Sequence, residues 1–190
     1  IQKYAEEVLR LVDSIGLEKV TLCGYSSGGS IAQEFSLTYP ERTKSLVLSG
    51  GFAEVQSPAL KYEHLMGMYF VKNSPKTLAK VIATAHTFDK NYRTELIEHM
   101  LKTDLNTWFH FYNESLNYSC SGRLKNLNVP LLLIYGSRDF INQHIRAYER
   151  ELGHFQQAII PKVSHQVPVK KWQEFNTEIE KFLEEQADWR

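Results

Sequence analysis

Over the first fifteen residues Ile1, Tyr4, Ala5, Val8, Leu11, Val12 and Ile15 recur three and four places apart, and Gly16 stands where a helix-ending glycine belongs. This spacing predicts an amphipathic helix. "KVTLC", residues 19–23, is then a short apolar run of strand length. "GGSIAQEFSLTYP", residues 28–40, predicts a helix with Ile31, Phe35 and Leu37 among its buried candidates and Pro40 as its stop. "SLVLSGG", residues 45–51, reads as a second strand closed by two glycines. Strands alternating with helices predict a parallel sheet covered by helices on both faces.

From Phe52 to Arg123 the pattern changes. Residues 58–71, 74–88, 91–103 and 105–119 all read as helices, and aromatics are dense among them. Strand signals then return. "VPLLLIYG", residues 129–136, is almost continuously apolar, as a central parallel strand should be. Residues 141–153 read as a helix ending at Gly153, and "QQAIIP", residues 156–161, as a further strand. Residues 169–186 read as a last amphipathic helix carrying Trp172, Phe175, Ile179 and Phe182. The layout predicts an α/β core from residues 1–51 and 124–190, interrupted by a helical insertion over 52–123. Such an insertion is placed to cover a site at the C-terminal ends of the strands, where open α/β sheets bind ligands.

Bulk composition narrows the function classes. Lys and Arg together number 22, as do Asp and Glu, so the formal net charge is zero. Nothing in that balance favours nucleic acid or an anionic membrane surface. No apolar run approaches the ~20 residues of a membrane span. The two cysteines, Cys23 and Cys120, form no metal-type cluster, and so few thiols fit a reducing, cytoplasmic compartment. No histidine pair has zinc-ligand spacing with a third partner, so neither a metal nor another cofactor is expected. The chain starts inside a helical pattern without Met, which suggests a fragment or numbering from an internal residue, and the absence of a leader is uninformative.

The candidate chemistry lies between the first strand and the second helix. Gly24-Tyr25-Ser26-Ser27-Gly28 is G-x-S-x-G in the strand–turn–helix context that the motif needs. A nucleophile on so sharp a turn takes a strained backbone, and side chains two places either side of it are expected to collide with neighbouring chain. Gly24 and Gly28 avoid that collision, and Gly29 eases the helix onto the sheet. Ser26 is centred in the motif and is the candidate nucleophile, with the Ser27 N–H as an oxyanion donor at the helix start. The alternatives for this stretch are a glycine-rich helix start without chemistry and a phosphate-binding turn.

A serine hydroxyl needs a base, and the base needs an orienting acid. Asp139 follows the strongest strand in "LLLIYGSRD". It serves equally as an N-cap for the next helix, and Glu54 is the fallback acid. Of the late histidines, His165 in "PKVSHQVP" follows a strand, whereas His154 precedes one and stands at the wrong end. His144 reads as a helix-face residue, and His64, His86, His99 and His110 fall in the insertion with core or surface roles.

These residues together resemble the α/β-hydrolase superfamily: "GYSSGG" with Ser26, "LLLIYGSRD" with Asp139 and "PKVSHQVP" with His165, in the order Ser, Asp, His. The insertion resembles the family's helical cap. Two departures stand out. Ser164 precedes the histidine where many relatives have glycine. The early strands and the loop supplying a second oxyanion N–H, usual in the family, are not found upstream of Ser26. Their absence implies an exposed sheet edge, self-association and weak activity for this segment alone.

The resemblance implies a serine hydrolase cleaving carboxylic esters or related acyl compounds of small, fairly apolar molecules. Tyr25, Met66, Tyr69, Trp108 and Phe111 are candidate pocket residues. The insertion's aromatics and methionines are also natural packing residues for its helices. An acyltransferase or thioesterase, and a non-catalytic ligand-binding member of the fold, are the alternatives. Oligomeric state is not legible.

Overall fold

The computed structural model describes residues 1–187. In chain order the elements are α1 (Gln2–Ser14), β1 (Val20–Tyr25), α2 (Gly28–Thr38), β2 (Thr43–Ser49), α3 (Pro58–Asn73), α4 (Pro75–His86), α5 (Lys90–Met100) and α6 (Leu105–Asn117). They continue with β3 (Leu131–Gly136), α7 (Ile145–Glu151), β4 (Gln156–Ile160), α8 (Val167–Lys170) and α9 (Trp172–Ala187). Two compact units emerge, one from Ile1–Glu54 together with the chain from Tyr118 onward, the other Val55–Asn117. The insertion predicted over 52–123 is thus shorter in the structure. Phe52 and Ala53 are fully buried in the first unit, and Cys120 and Leu124 return to it.

In the first unit the four strands are all parallel, in the order β1-β2-β3-β4. Because every pairing is parallel, all four C-terminal ends lie along one edge. β3 is buried at every position, which is why its sequence shows no polar alternation. Alternate residues of the inner strands serve opposite faces. Val47, Leu132 and Ile134 pack with Phe175 and Phe182 of α9, whereas Leu48 lies against Gly29 of α2. Each large side chain so buried contributes about 1.5–3 kcal/mol. On the α2 side, Ala5 and Val12 of α1 join Phe35 in a smaller cluster.

Several expectations shift. Leu11 and Ile15, counted on the apolar stripe of α1, are each 59% exposed. On α2, Phe35 is fully buried but Ile31 and Leu37 are only half-buried, while Ser30, Gln33, Glu34 and Ser36 are buried. The helix is enclosed on more than one side, so apolar spacing does not mark its inner face. The segment after Asp139 opens as a 3-10 turn, Phe140–His144, before α7 begins. Trp172 starts α9 but is 57% exposed, outside the stripe that Phe175 and Phe182 form.

The second unit is four helices. Pro58 and Pro75 sit in the first turns of α3 and α4, where a missing N–H costs nothing. Ser57 Oγ accepts from Leu60 N, and Asp89 Oδ1 from Tyr92 N, capping α3 and α5. Buried His64 ties α3 to α6 through Ser115 Oγ at 3.0 Å, with its other ring nitrogen 2.8 Å from Leu60 O. Among the described residues no helix is long and apolar enough to cross a membrane.

Candidate active site

β1 ends at Tyr25 and α2 begins at Gly28, leaving two residues to reverse the chain. Ser26 takes that corner at φ 53°, a left-handed conformation costing a side-chain-bearing residue about 1–2 kcal/mol. Its N–H still donates to Ser49 O of β2 at 2.9 Å, and its carbonyl accepts from Gly29 N at 2.8 Å. The strained residue is therefore held from both sides. Gly24 makes the corner possible: a Cβ there would fall 2.6 Å from Gly29 Cα and 3.0 Å from Gly28 O. The same reasoning fails for Gly28, where a Cβ would meet nothing within 4 Å. Ser27 is the residue from which α2 departs.

Asp139 lies just beyond β3 and is buried. Its Oδ1 accepts from Ile141 N at 3.0 Å, so it does cap the following turn. Its Oδ2 lies 2.9 Å from Nδ1 of His165, which follows β4. Capping and histidine orientation, read from sequence as alternatives, coexist on the two oxygens of one carboxylate. The carboxylate accepts only, so Nδ1 carries the proton and Nε2 of the neutral ring has its lone pair free. Nε2 is buried and has no hydrogen-bond partner among the described residues, Ser26 Oγ included.

The His165 ring is packed on two further sides. Tyr25, which precedes Ser26, lies with its ring centroid 5.1 Å away. On the other side is Gly50, at φ +57°; a Cβ there would fall 2.5 Å from His165 Cε1 and 2.7 Å from Nδ1. Glycine is required at 50 by conformation and by contact, a need that "SGG" alone does not reveal. The loop carrying His165 is fixed to the end of β3 by Arg138 N on Val163 O at 2.9 Å and by Ser137 N on Ile160 O at 2.8 Å.

The other candidates separate clearly. Glu54 accepts from Ser119 Oγ at 2.7 Å and does not touch His165, both of whose ring nitrogens are accounted for. His154 precedes β4 and lines a groove of about 400 Å³ with Phe155, Gln156, Phe182 and Glu185, at the sheet end opposite Ser26. His144 lies on the 3-10 turn that precedes α7 and is buried there, and burial pushes its imidazole below the usual histidine range. Met66, Tyr69, Trp108 and Phe111 belong to the helical unit, where Tyr69 is 58% exposed and the other three are half-buried. Among the described residues, no three His, Cys, Asp or Glu side chains gather as metal ligands would.

Comparison with known proteins agrees with this architecture. The family model Hydrolase_4, described as serine aminopeptidase, S33, matches residues 2–169. A Bacillus subtilis (strain 168) protein, provisionally assigned as a 2-succinyl-6-hydroxy-2,4-cyclohexadiene-1-carboxylate synthase, is 25% identical over 95% of this chain and 72% of its own. The 2-hydroxy-6-oxononadienedioate/2-hydroxy-6-oxononatrienedioate hydrolase 1 of Pseudomonas putida is 30% identical over 68% of this chain, which spans half of that relative's length. Among solved structures, a study of carboxylesterases from the thaumarchaeon Nitrososphaera gargenis supplies one with a TM-score of 0.83 and 17% identity. It covers 100% of this chain and 73% of its own. The parallel sheet, the serine corner and the family match agree: the chain belongs to the serine aminopeptidase S33 family, and so to the α/β hydrolases.

Proposed function

We propose that Ser26, His165 and Asp139 act as a nucleophile–base–acid triad that hydrolyses carboxylic esters or related acyl compounds of small, fairly apolar molecules. The observation that carries this reading is the 2.9 Å bond from His165 Nδ1 to buried Asp139, made at the sheet edge where Ser26 is held at positive φ. Nε2 of His165 takes the Ser26 proton as Oγ attacks the substrate carbonyl. Asp139 holds the ring in its tautomer and stabilises the imidazolium that forms. The Ser27 N–H donates to the oxyanion. The imidazolium then protonates the leaving alcohol, an acyl-enzyme remains, and water deprotonated by His165 releases the acid. The Ser26–His165 hydrogen bond forms as substrate binds, since such contacts are often open in free enzymes.

Ser26→Ala tests the assignment. Hydrolysis of a short p-nitrophenyl ester should fall by at least ~10³-fold. Unchanged turnover would refute it. A second reading, hydrolysis of an oxo-dicarboxylic acid, is favoured by the name of the Pseudomonas putida relative. Turnover of such an acid with none of the ester would select it.

A further inference from the structure

Gly50, Gly51, Phe52 and Ala53 follow β2 in succession, and each has one backbone group taken by a different partner. Gly50 N donates to Ile134 O at 2.9 Å, and Ala53 O accepts from Cys120 N at 2.9 Å. The two between are held by side chains. Tyr135 Oη donates to Gly51 O at 2.6 Å, and Gln33 Nε2 donates to Phe52 O at 3.0 Å. Tyr135 and Gln33 are both fully buried. Gln33 also reaches back one helical turn, its Nε2 donating to Gly29 O at 3.1 Å. Its Oε1 accepts from Tyr148 Oη at 2.8 Å and from Cys120 Sγ at 3.4 Å. Both amide protons and both acceptor directions of one side chain are thus used, which fixes its orientation.

The geometry points to Gln33 and Tyr135 as positioning residues for His165; the inference rests on the triad reading for its catalytic consequence. Through Nε2 the Gln33 amide donates both to Gly29 O, in the helix that starts at the serine corner, and to Phe52 O, in the segment whose first residue, Gly50, bears directly on the imidazole. Tyr135 holds the same segment from β3. The pair sets how far the ring can shift from Asp139 towards or away from Ser26.

Two variants and two readouts test this. Gln33→Leu removes the link at near-constant volume, and Tyr135→Phe removes a single hydroxyl should the first fail to fold. Val12→Ala, in the α1–α2 cluster, serves as a destabilised control remote from the segment. The first readout is the second-order rate of fluorophosphonate labelling per folded molecule. The second is the downfield proton resonance of the His165 Nδ1–H bond to Asp139, which needs no nucleophile. Either site variant should label about ten- to a hundredfold more slowly and shift or broaden that resonance, with Val12→Ala leaving both alone. A folded Tyr135→Phe with unchanged labelling and unchanged resonance would overturn the inference. So would the same losses in Val12→Ala. Absent labelling of the unaltered protein would defeat the triad reading instead, and the proton resonance would still decide the positioning role.

Discussion

Asp139 divides its carboxylate between backbone and imidazole, Oδ1 on Ile141 N and Oδ2 on His165 Nδ1. The two duties separate by substitution. Asparagine keeps an oxygen for the cap but offers the ring an amide in place of a charged acceptor, so the imidazole loses its tautomer control. Asp139→Asn should melt near the unaltered protein yet lose about 10³- to 10⁴-fold in turnover. Asp139→Ala should lose turnover and also about 1 kcal/mol of stability with the cap. Denaturant titration alongside ester kinetics distinguishes them, and equal stability losses in both variants would contradict the division. Sequence position placed Asp139 beyond a strong strand but left its two roles as competitors. A short carboxylate facing two donors satisfies both, and that depends on the 3-10 turn after it, which helical periodicity does not foretell. Gln33 was illegible for a related reason: an amide on a helix reads as surface until its four partners are known.

Strand–turn–helix elements were the most readable part of the chain. All four strands and the helices of the insertion match segments read from the apolar pattern, and β3, buried at every position, shows no polar alternation. Faces were less readable. Leu11 and Ile15 fit the stripe of α1 but are exposed, whereas Ala5 and Val12 form the side packed against Phe35. Within the serine corner the two motif glycines differ, contrary to the symmetrical role their spacing suggests. Gly24→Ala must push against Gly29 Cα and should prevent folding or cost several kcal/mol, as over-packing against backbone does at ~1–3 kcal/mol or more. Gly28→Ala enters open space at a helix start and should leave the melting temperature unchanged or slightly raised. Equal losses at the two positions would show that the corner is packed differently.

The helical unit makes a pH prediction at the same scale. His64 joins α3 to α6, and burial lowers its imidazole below the ordinary range, outweighing the carbonyl of Leu60. In the unfolded chain it takes up a proton near pH 6.5, whereas in the folded chain it does so only at lower pH. The unfolded state then binds more protons, so stability is full above about pH 6.5 and declines as pH falls below it. Thermal melts at pH 7.5 and 5.5 should show that decline, and His64→Gln should reduce it. A His64→Gln protein with the same pH dependence as its parent would place the titration elsewhere.

For the whole molecule, one feature of topology organises the chemistry: four parallel strands in chain order deliver Ser26, Gly50, Asp139 and His165 to the same edge of the sheet. Tyr25 and Gly50, more than a hundred places from His165 in sequence, become its neighbours there. Convergence on that edge was legible from motif order, while the closeness of Gly50 to the imidazole was not, because it depends on the path of the chain after β2. The family match and the fold agree that this is an α/β hydrolase. The triad is the central claim, and covalent labelling tests it most directly. Incubation with a fluorophosphonate followed by peptide mass spectrometry should place a single adduct on Ser26, and His165→Ala should abolish it in protein that remains folded. An adduct on Ser27, or labelling of Ser26 that survives His165→Ala at an unchanged rate, would contradict the account.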